Sequence, residues 1–467
     1  MNFIYQIVAR TKRVFKNPLI EHISPIRKGS MIGAGVRKLE KEFVTHTTLP
    51  HHKSAANTFI LWQKLFIFSL LSMLIVGAVV NLLLTLQIFI GILTVIYFVD
   101  VLFNLFLVLK SLHLPPELDF SDEELSKINV RSLPVYTILC PMYKEAKILP
   151  SFLEAISKLD WPKNKLDVQL LLEEDDLETI HVANNWGLPS YVRVVVVPHS
   201  QPKTKPKACN YGLNMAKGEY LVIYDAEDIP DVLQLKKAYL AFQKVDKNVV
   251  CLQAKLNYFN PHQNFITRLF TAEYSLWFDV VLPGLQGINT NIPLGGTSNH
   301  FRVPDLKSLE GWDPFNVTED CDLGVRLFME GKRTAVINST TMEEANSKFN
   351  NWLRQRSRWI KGYMQTYLVH MRNPYQLVKK QGIHALFFNL IVGGKIAFMF
   401  INPFLWLMTI AYFVFRSQIG ASIEALFPSY IFYMAVFSLI FGNFLYMFYY
   451  MIGCDKREHW TLIKYVY

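Results

Sequence analysis

Gly218-Glu219-Tyr220-Leu221-Val222-Ile223-Tyr224-Asp225-Ala226-Glu227-Asp228 is a run of branched and aromatic residues that ends in acids. Such side chains favour a buried strand, and this one delivers its carboxylates at its C-terminal end. Open α/β sheets bind ligands at that end. Asp225 and Glu227, at alternate positions, can offer oxygens to a hard divalent cation that keeps open positions for phosphate. Such an ion neutralises charge on a departing diphosphate. An acidic turn before a helix, with Asp228 or Asp231 as its cap, explains the same residues structurally.

Working outward, a second acidic cluster, Glu173-Glu174-Asp175-Asp176, follows the apolar run Val168–Leu172. Acids there can accept hydrogen bonds from a base or ribose edge, or simply open a solvated helix. Further strand candidates are Val135–Cys140, Tyr191–Val197 and Val249–Gln253, with helical patterns at Ile148–Leu159 and Ala208–Ala216. The alternation predicts a mostly parallel α/β sheet. Lys203, Lys205 and Lys207 lie on a Pro-containing loop that leads into a helix carrying Asn210 and Asn214. Lysines beside a helix N-terminus suit a diphosphate; a solvated basic loop is the plainer account.

Thr318-Glu319-Asp320 sits at a predicted helix start. Thr318 as cap and two acids on the dipole explain it structurally. The functional alternative makes Asp320 a general base that takes a proton from an acceptor hydroxyl. In Gln355-Arg356-Ser357-Arg358-Trp359, the residues Gln355, Arg358 and Trp359 fall at i, i+3 and i+4 on one helix face. Arg358 suits pyrophosphate and Trp359 a sugar ring; Arg354, Arg356 and Lys361 fit a lipid-facing basic surface. Ile292–His300 reads as a flexible turn, with His300 structural.

Composition places these motifs in a mosaic protein. Hydrophobic residues make up 51% and charged residues 18% of 467, and mean hydropathy is +0.19. Residues 1–57 form a basic cytoplasmic region. Phe59–Val80 and Leu82–Leu109 are long enough to span a bilayer; Asn81 between them makes residues 58–110 a transmembrane hairpin. Residues 111–382, entered through the Pro115-Pro116 linker, form the soluble domain. Residues 383–453 hold an interfacial helix, split off at Gly393-Gly394, and two more spans. Residues 454–467 end the chain on the basic side, where Trp460-Thr461-Leu462-Ile463 reads as the start of another element. The net charge of +10 and the flanking basic residues orient the soluble domain to the cytoplasm. Five scattered cysteines without metal spacing fit free thiols. No cleavable leader is evident, and no zinc-finger or helix-turn-helix pattern points to nucleic acid.

The set Asp225-Ala226-Glu227, Thr318-Glu319-Asp320 and Gln355–Trp359, in this order between membrane segments, resembles a processive family 2 glycosyltransferase of the cellulose-synthase type. The stretches Pro293–Arg302, Asn316–Gly324 and Asn351–Gly362 are most similar to a bacterial branch of exopolysaccharide or phage-adsorption glycosyltransferases. The resemblance implies a GT-A α/β domain inserted between transmembrane helices. It implies a UDP-sugar donor held by Glu145, Asp175 or Asp176, Lys207 and Asp225, with Mg2+ or Mn2+ on Asp225 and Glu227. Asp320 is then the base, and Glu319, Gln355, Arg358 and Trp359 serve the acceptor and diphosphate. The implied reaction inverts the anomeric carbon and extends a β-linked envelope or exopolysaccharide glycan at a bacterial inner membrane, with envelope export proteins as partners. The rival readings are single transfer to a polyprenyl phosphate and a non-catalytic envelope scaffold.

Overall fold

The computed structural model describes residues 34–38, 41–45, 49–113 and 117–465. Most of the basic region 1–57, the Pro115-Pro116 linker and the terminal Tyr467 lie outside the described residues. The chain divides into two compact units. One takes residues up to Pro50, Phe120–Gln253 and Gly295–Phe315; the other takes His51–Asp119, Ala254–Leu294 and Asn316–Tyr467.

In the first unit, β1 (Ala34–Lys38) and β2 (Lys41–Thr45) pair antiparallel. The main sheet is built from β3 (Tyr136–Met142), β4 (Leu166–Glu173), β5 (Val192–Val197), β6 (Tyr220–Ile223), the short β7 (Ile229–Pro230), the first half of β8 (Val249–Tyr258) and β9 (Asn299–Arg302). The order β5-β4-β3-β6-β9-β8 contains a parallel half, β5-β4-β3-β6. There β3 and β4 are buried along nearly their whole length, as strands covered on both faces must be. β9 then enters antiparallel to both β6 and β8, so the sheet is mixed beyond the predicted parallel core. The parallel register sets Met142 opposite Leu172 and Leu139 opposite Ile223. The residues after β3, β4 and β6 therefore emerge side by side at one sheet end.

The second unit holds the apolar helices. Four runs, Leu61–Val80, Leu82–Leu112, Ile383–Val414 and Ser429–Lys456, are long and apolar enough to cross a membrane. The first two meet at Asn81, whose side chain accepts from Leu84 N–H at 3.0 Å. A Cβ on Gly77 would lie 2.8 Å from Thr85 Oγ1, so this close turn needs glycine. The expected separate interfacial helix after residue 383 is not formed. Ile383–Phe388, a π-helical turn at Asn389–Gly393 and Gly394–Val414 run on as one helix. Gly393 and Gly394 keep right-handed helical angles, and Gly393 packs on the Tyr367 ring, where a Cβ would lie 2.8 Å from it. Small size for packing, not chain flexibility, explains that glycine pair. Phe388, Ile391 and Val392 join a core with Leu256, Phe278, Cys321, Val325 and Val336. β10 (Arg333–Glu343) runs beside the second half of β8. All five cysteines are buried free thiols.

Candidate active site

Three loops bring the acids of the first unit together. Asp225 follows β6, Asp175 and Asp176 follow β4, and Glu145 follows β3. Burial pushes the Glu145 carboxyl up, and the charge of Asp225 adds to it. Burial and Asp225 likewise push Asp228 well above the usual carboxylate range. Asp228 is no helix cap. It accepts from the Asp225 N–H at 2.8 Å and from the Thr297 hydroxyl, and so shapes the turn that presents Asp225. The Ile292–His300 turn is correspondingly fixed rather than flexible. Gln253 Oε1 accepts from Gly295 N–H at 2.7 Å, and Asn299 Nδ2 donates to the Gly295 carbonyl at 2.6 Å.

Each lysine of the loop meets a different acid. Lys203 reaches Asp175 at 2.5 Å and holds its carboxyl below the ordinary range. Lys205 pairs with Asp225 and donates to the Gly296 carbonyl at 2.7 Å. Lys207 is buried against Glu173 at 2.5 Å. Residues two apart on a helix point about 200° apart, so Lys205 and Lys207 on the Lys205–Asn214 helix cannot serve one ligand. The lysine at Asp225 is thus Lys205, not Lys207. Asp175 and Asp176 also sit in different settings. Asp176 is buried and gives its oxygens to Lys144 N–H at 2.5 Å and Thr179 N–H at 3.3 Å; Asp175 is exposed. Asn210 is likewise spent on structure, bonded twice to the Trp312 backbone. His300 is a core residue between Tyr136 and Gln234.

The donor set fits a divalent ion in an open site. Asp225 is half-buried and Glu227 exposed, and Glu145 and Asp228 are already raised by Asp225's charge, which a cation would relieve. Among the described residues no three His, Cys, Asp or Glu side chains close on one point. An ion held by one or two carboxylates and completed by substrate phosphates needs no such cage.

In the second unit, Glu319–Met329 forms the predicted helix. Thr318 sits at its N-cap without a side-chain cap bond, because the segment before the helix is bound elsewhere. Asn316 bonds Thr366 at 2.9 Å, and Val317 N–H donates to Gln365 at 3.0 Å. Inside the helix, Asp322 is fully buried between Arg326 at 2.8 Å and His370 at 2.9 Å. Burial pushes its carboxyl up, but Arg326 and His370 outweigh this and hold it below the usual range. Asp320, half-buried, accepts from Cys321 N–H at 2.7 Å.

Gln355, Arg358 and Trp359 lie on the helix Phe349–His370 but not in equal settings. Gln355 accepts from Asn346 at 2.8 Å. Trp359 packs with Phe270 and Tyr274. Arg358 is exposed. The arginine inside this cluster is Arg356: it binds both Glu273 oxygens and stacks 4.7 Å from the Trp359 ring centre and 4.6 Å from that of Phe270. Arg356 is therefore no lipid-facing cation. The spacing Trp352, Arg356, Trp359 (i, i+4, i+7) was the available sign of that stripe; Glu273 carried none.

Residues 134–362 match the model described as "Glycosyltransferase like family 2". A probable glycosyltransferase of Bacillus subtilis (strain 168), YdaM, is 23% identical over 321 residues, covering 63% of this chain and 76% of that one. Similar solved structures include the mannosyltransferase PcManGT from Pyrobaculum calidifontis in complex with GDP-Man and Mn2+. It is 17% identical, with 73% of this chain and 97% of that one covered and a TM-score of 0.45. S. aureus TarS 1-349 in complex with UDP-GlcNAc is 15% identical, with coverages of 53% and 67% and a TM-score of 0.38. Residues 134–362 thus form a domain like those of family 2 glycosyltransferases, with a GT-A-like mixed sheet. The protein is a glycosyltransferase, and four helices long and apolar enough to cross a membrane accompany that domain.

Proposed function

We propose that this enzyme is membrane-bound and transfers sugar from a UDP-sugar, with inversion, to a growing β-linked glycan of the cell envelope or exopolysaccharide. The observation that carries this reading is the meeting of Glu145, Asp225 and the Lys205 ammonium at adjacent strand ends. Asp225 and Glu227 would hold Mg2+ or Mn2+, which when bound offsets the charge of the departing diphosphate. Lys205 and Lys203 line the donor loop, and Asp175 is the acid open to the uridine side. Lys207 supports this loop through Glu173. In the second unit Asp320 takes the proton of the acceptor hydroxyl, and Trp359, Gln355, Glu319 and Arg358 serve the saccharide and diphosphate. The basic flanks favour a cytoplasmic catalytic domain at a bacterial inner membrane, with export partners receiving the product.

The test is nucleoside diphosphate release by the membrane-embedded protein over a panel of nucleotide sugars with Mg2+, Mn2+ or chelator. Release from UDP-sugars that stops in Asp225→Asn and returns with added metal in wild type supports the reading. Turnover of every UDP-sugar equally well in chelator speaks against it.

A further inference from the structure

Lys395 is a cation at the edge of the apolar helices, and among the described residues no carboxylate forms an ion pair with it. Its helix, Ile383–Val414, buries Phe388, Ile391 and Val392 in the core of the second unit. From Met399 on, it exposes Met399, Phe400, Phe404 and Leu407, a surface suited to lipid. Lys395 stands between these stretches and is exposed. Its Nζ lies 3.3 Å from the centre of the Trp277 ring and 5.3 Å from that of Tyr363. Among the described residues no hydrogen bond or ion pair engages that Nζ. The acids whose charge reaches it are Glu273 and Asp100. Glu273 is paired with Arg356; Asp100 accepts from two neutral donors, Tyr446 at 2.9 Å and Asn104 at 3.0 Å, both on one oxygen, and neither acid forms an ion pair with Lys395.

Ionisable side chains at membrane depth are rare and mark ligand or ion paths. A ring face offsets part of an ammonium's desolvation, but three N–H donors remain to be satisfied. The position also borders the acceptor machinery. Cys321, the neighbour of Asp320, shares a core with Tyr363, the ring beside Lys395, and with Ile396, the residue that follows it.

We propose that Lys395 binds the phosphate of a lipid-linked saccharide acceptor, holding that acceptor at the bilayer edge while its sugar hydroxyl is offered to Asp320. This rests on the reading of Asp320 as base. In the transfer, the acceptor hydroxyl oxygen bonds to the anomeric carbon and its proton passes to Asp320. The bond from that carbon to the nucleoside diphosphate breaks, and the electron pair leaves on the diphosphate. Lys395 makes and breaks no bond; it fixes the lipid end.

The test uses the full chain in phosphatidylcholine nanodiscs and a polyprenyl phosphate as probe, with the polyprenol lacking phosphate as its comparator. Wild type should bind the phosphate form about ten- to hundredfold more tightly than the alcohol, the range for one hydrogen-bonded charge contact. Lys395→Met should lose that difference and Lys395→Arg should keep it; an unchanged melting temperature verifies that the Met variant folds. Equal preference for the phosphate form in wild type and Lys395→Met would overturn the proposal. So would displacement of the probe by phosphatidylglycerol at matching concentration, which would make the position a general headgroup seat. Donor turnover in Asp320→Asn is scored separately. Loss of turnover with no phosphate preference at Lys395 removes the lipid site and leaves the transferase reading standing. Full turnover in that variant with phosphate preference intact removes the base and leaves the lipid site.

Discussion

The lysines at the strand ends of the first unit and Lys395 in the second carry the same group in opposite settings. Lys203, Lys205 and Lys207 each touch a carboxylate, whereas Lys395 lies on the Trp277 ring and, among the described residues, pairs with no carboxylate. A paired lysine can exchange its carboxylate for a phosphate when a donor arrives, at modest net change. An ammonium with only a ring has its hydrogen-bonding capacity unspent and gains more from an anion. Pairing distinguishes a loop that is already balanced before its substrate binds from a position that an acceptor must complete.

The comparison breaks most visibly at the acids. Asp320→Asn should lower transfer by about 10^2- to 10^4-fold, the span of general base catalysis, while nucleotide binding, read by titration calorimetry, stays near wild type. Near-normal transfer would remove Asp320 from the chemistry.

Lys207 sharpens the balanced half. Lys207→Met leaves Glu173 buried without its cation, a change that costs ~3–5 kcal/mol in a buried pair and should lower the melting temperature strongly. Joining it with Glu173→Leu should restore most of the loss. A mild effect of the single change would show that this pair contributes little to the loop.

In the second unit, Gly362→Ala tests how tightly the start of the Asp320 helix is docked. A Cβ there would fall 2.6 Å from the Thr318 backbone nitrogen, so about 1–3 kcal/mol of overpacking should appear as lower stability together with slower transfer. Unchanged kinetics would mean that the Thr318 segment need not sit where it does.

The smallest effect is titrational. Burial lowers His300 from 6.5 to about 3. Between those values only the unfolded chain takes up the proton, so stability falls as pH drops through this window, by ~1.4 kcal/mol per unit. Above pH 6.5 the residue adds no pH dependence. His300→Gln should flatten the acid-side decline in melting temperature; an identical slope would place the acid sensitivity elsewhere.

Local pattern made much of this legible. Branched runs ending in acids marked β4 and β6 and the loops that follow them, because strand burial and the carboxyl-end rule both act over a few residues. Apolar length alone marked the four helices long enough to cross a membrane. The Thr318 cap was misread because Asn316 and Val317 are tied to residues about 50 positions away, which no local rule reports. The break at Gly393-Gly394 was misread because glycine's small size serves packing on Tyr367 there.

By itself, then, the sequence determined where strands, membrane-length helices and acid-bearing loops fall, since periodicity and side-chain shape are properties of neighbouring residues. Only the tertiary structure decided which charge meets which: Lys205 rather than Lys207 at Asp225, Arg356 rather than Arg358 beside Trp359, and a ring face rather than a carboxylate, among the described residues, at Lys395. Electrostatic pairing depends on distance and burial in space, and residues such as Arg356 and Glu273, 83 positions apart, become neighbours only when the chain has folded.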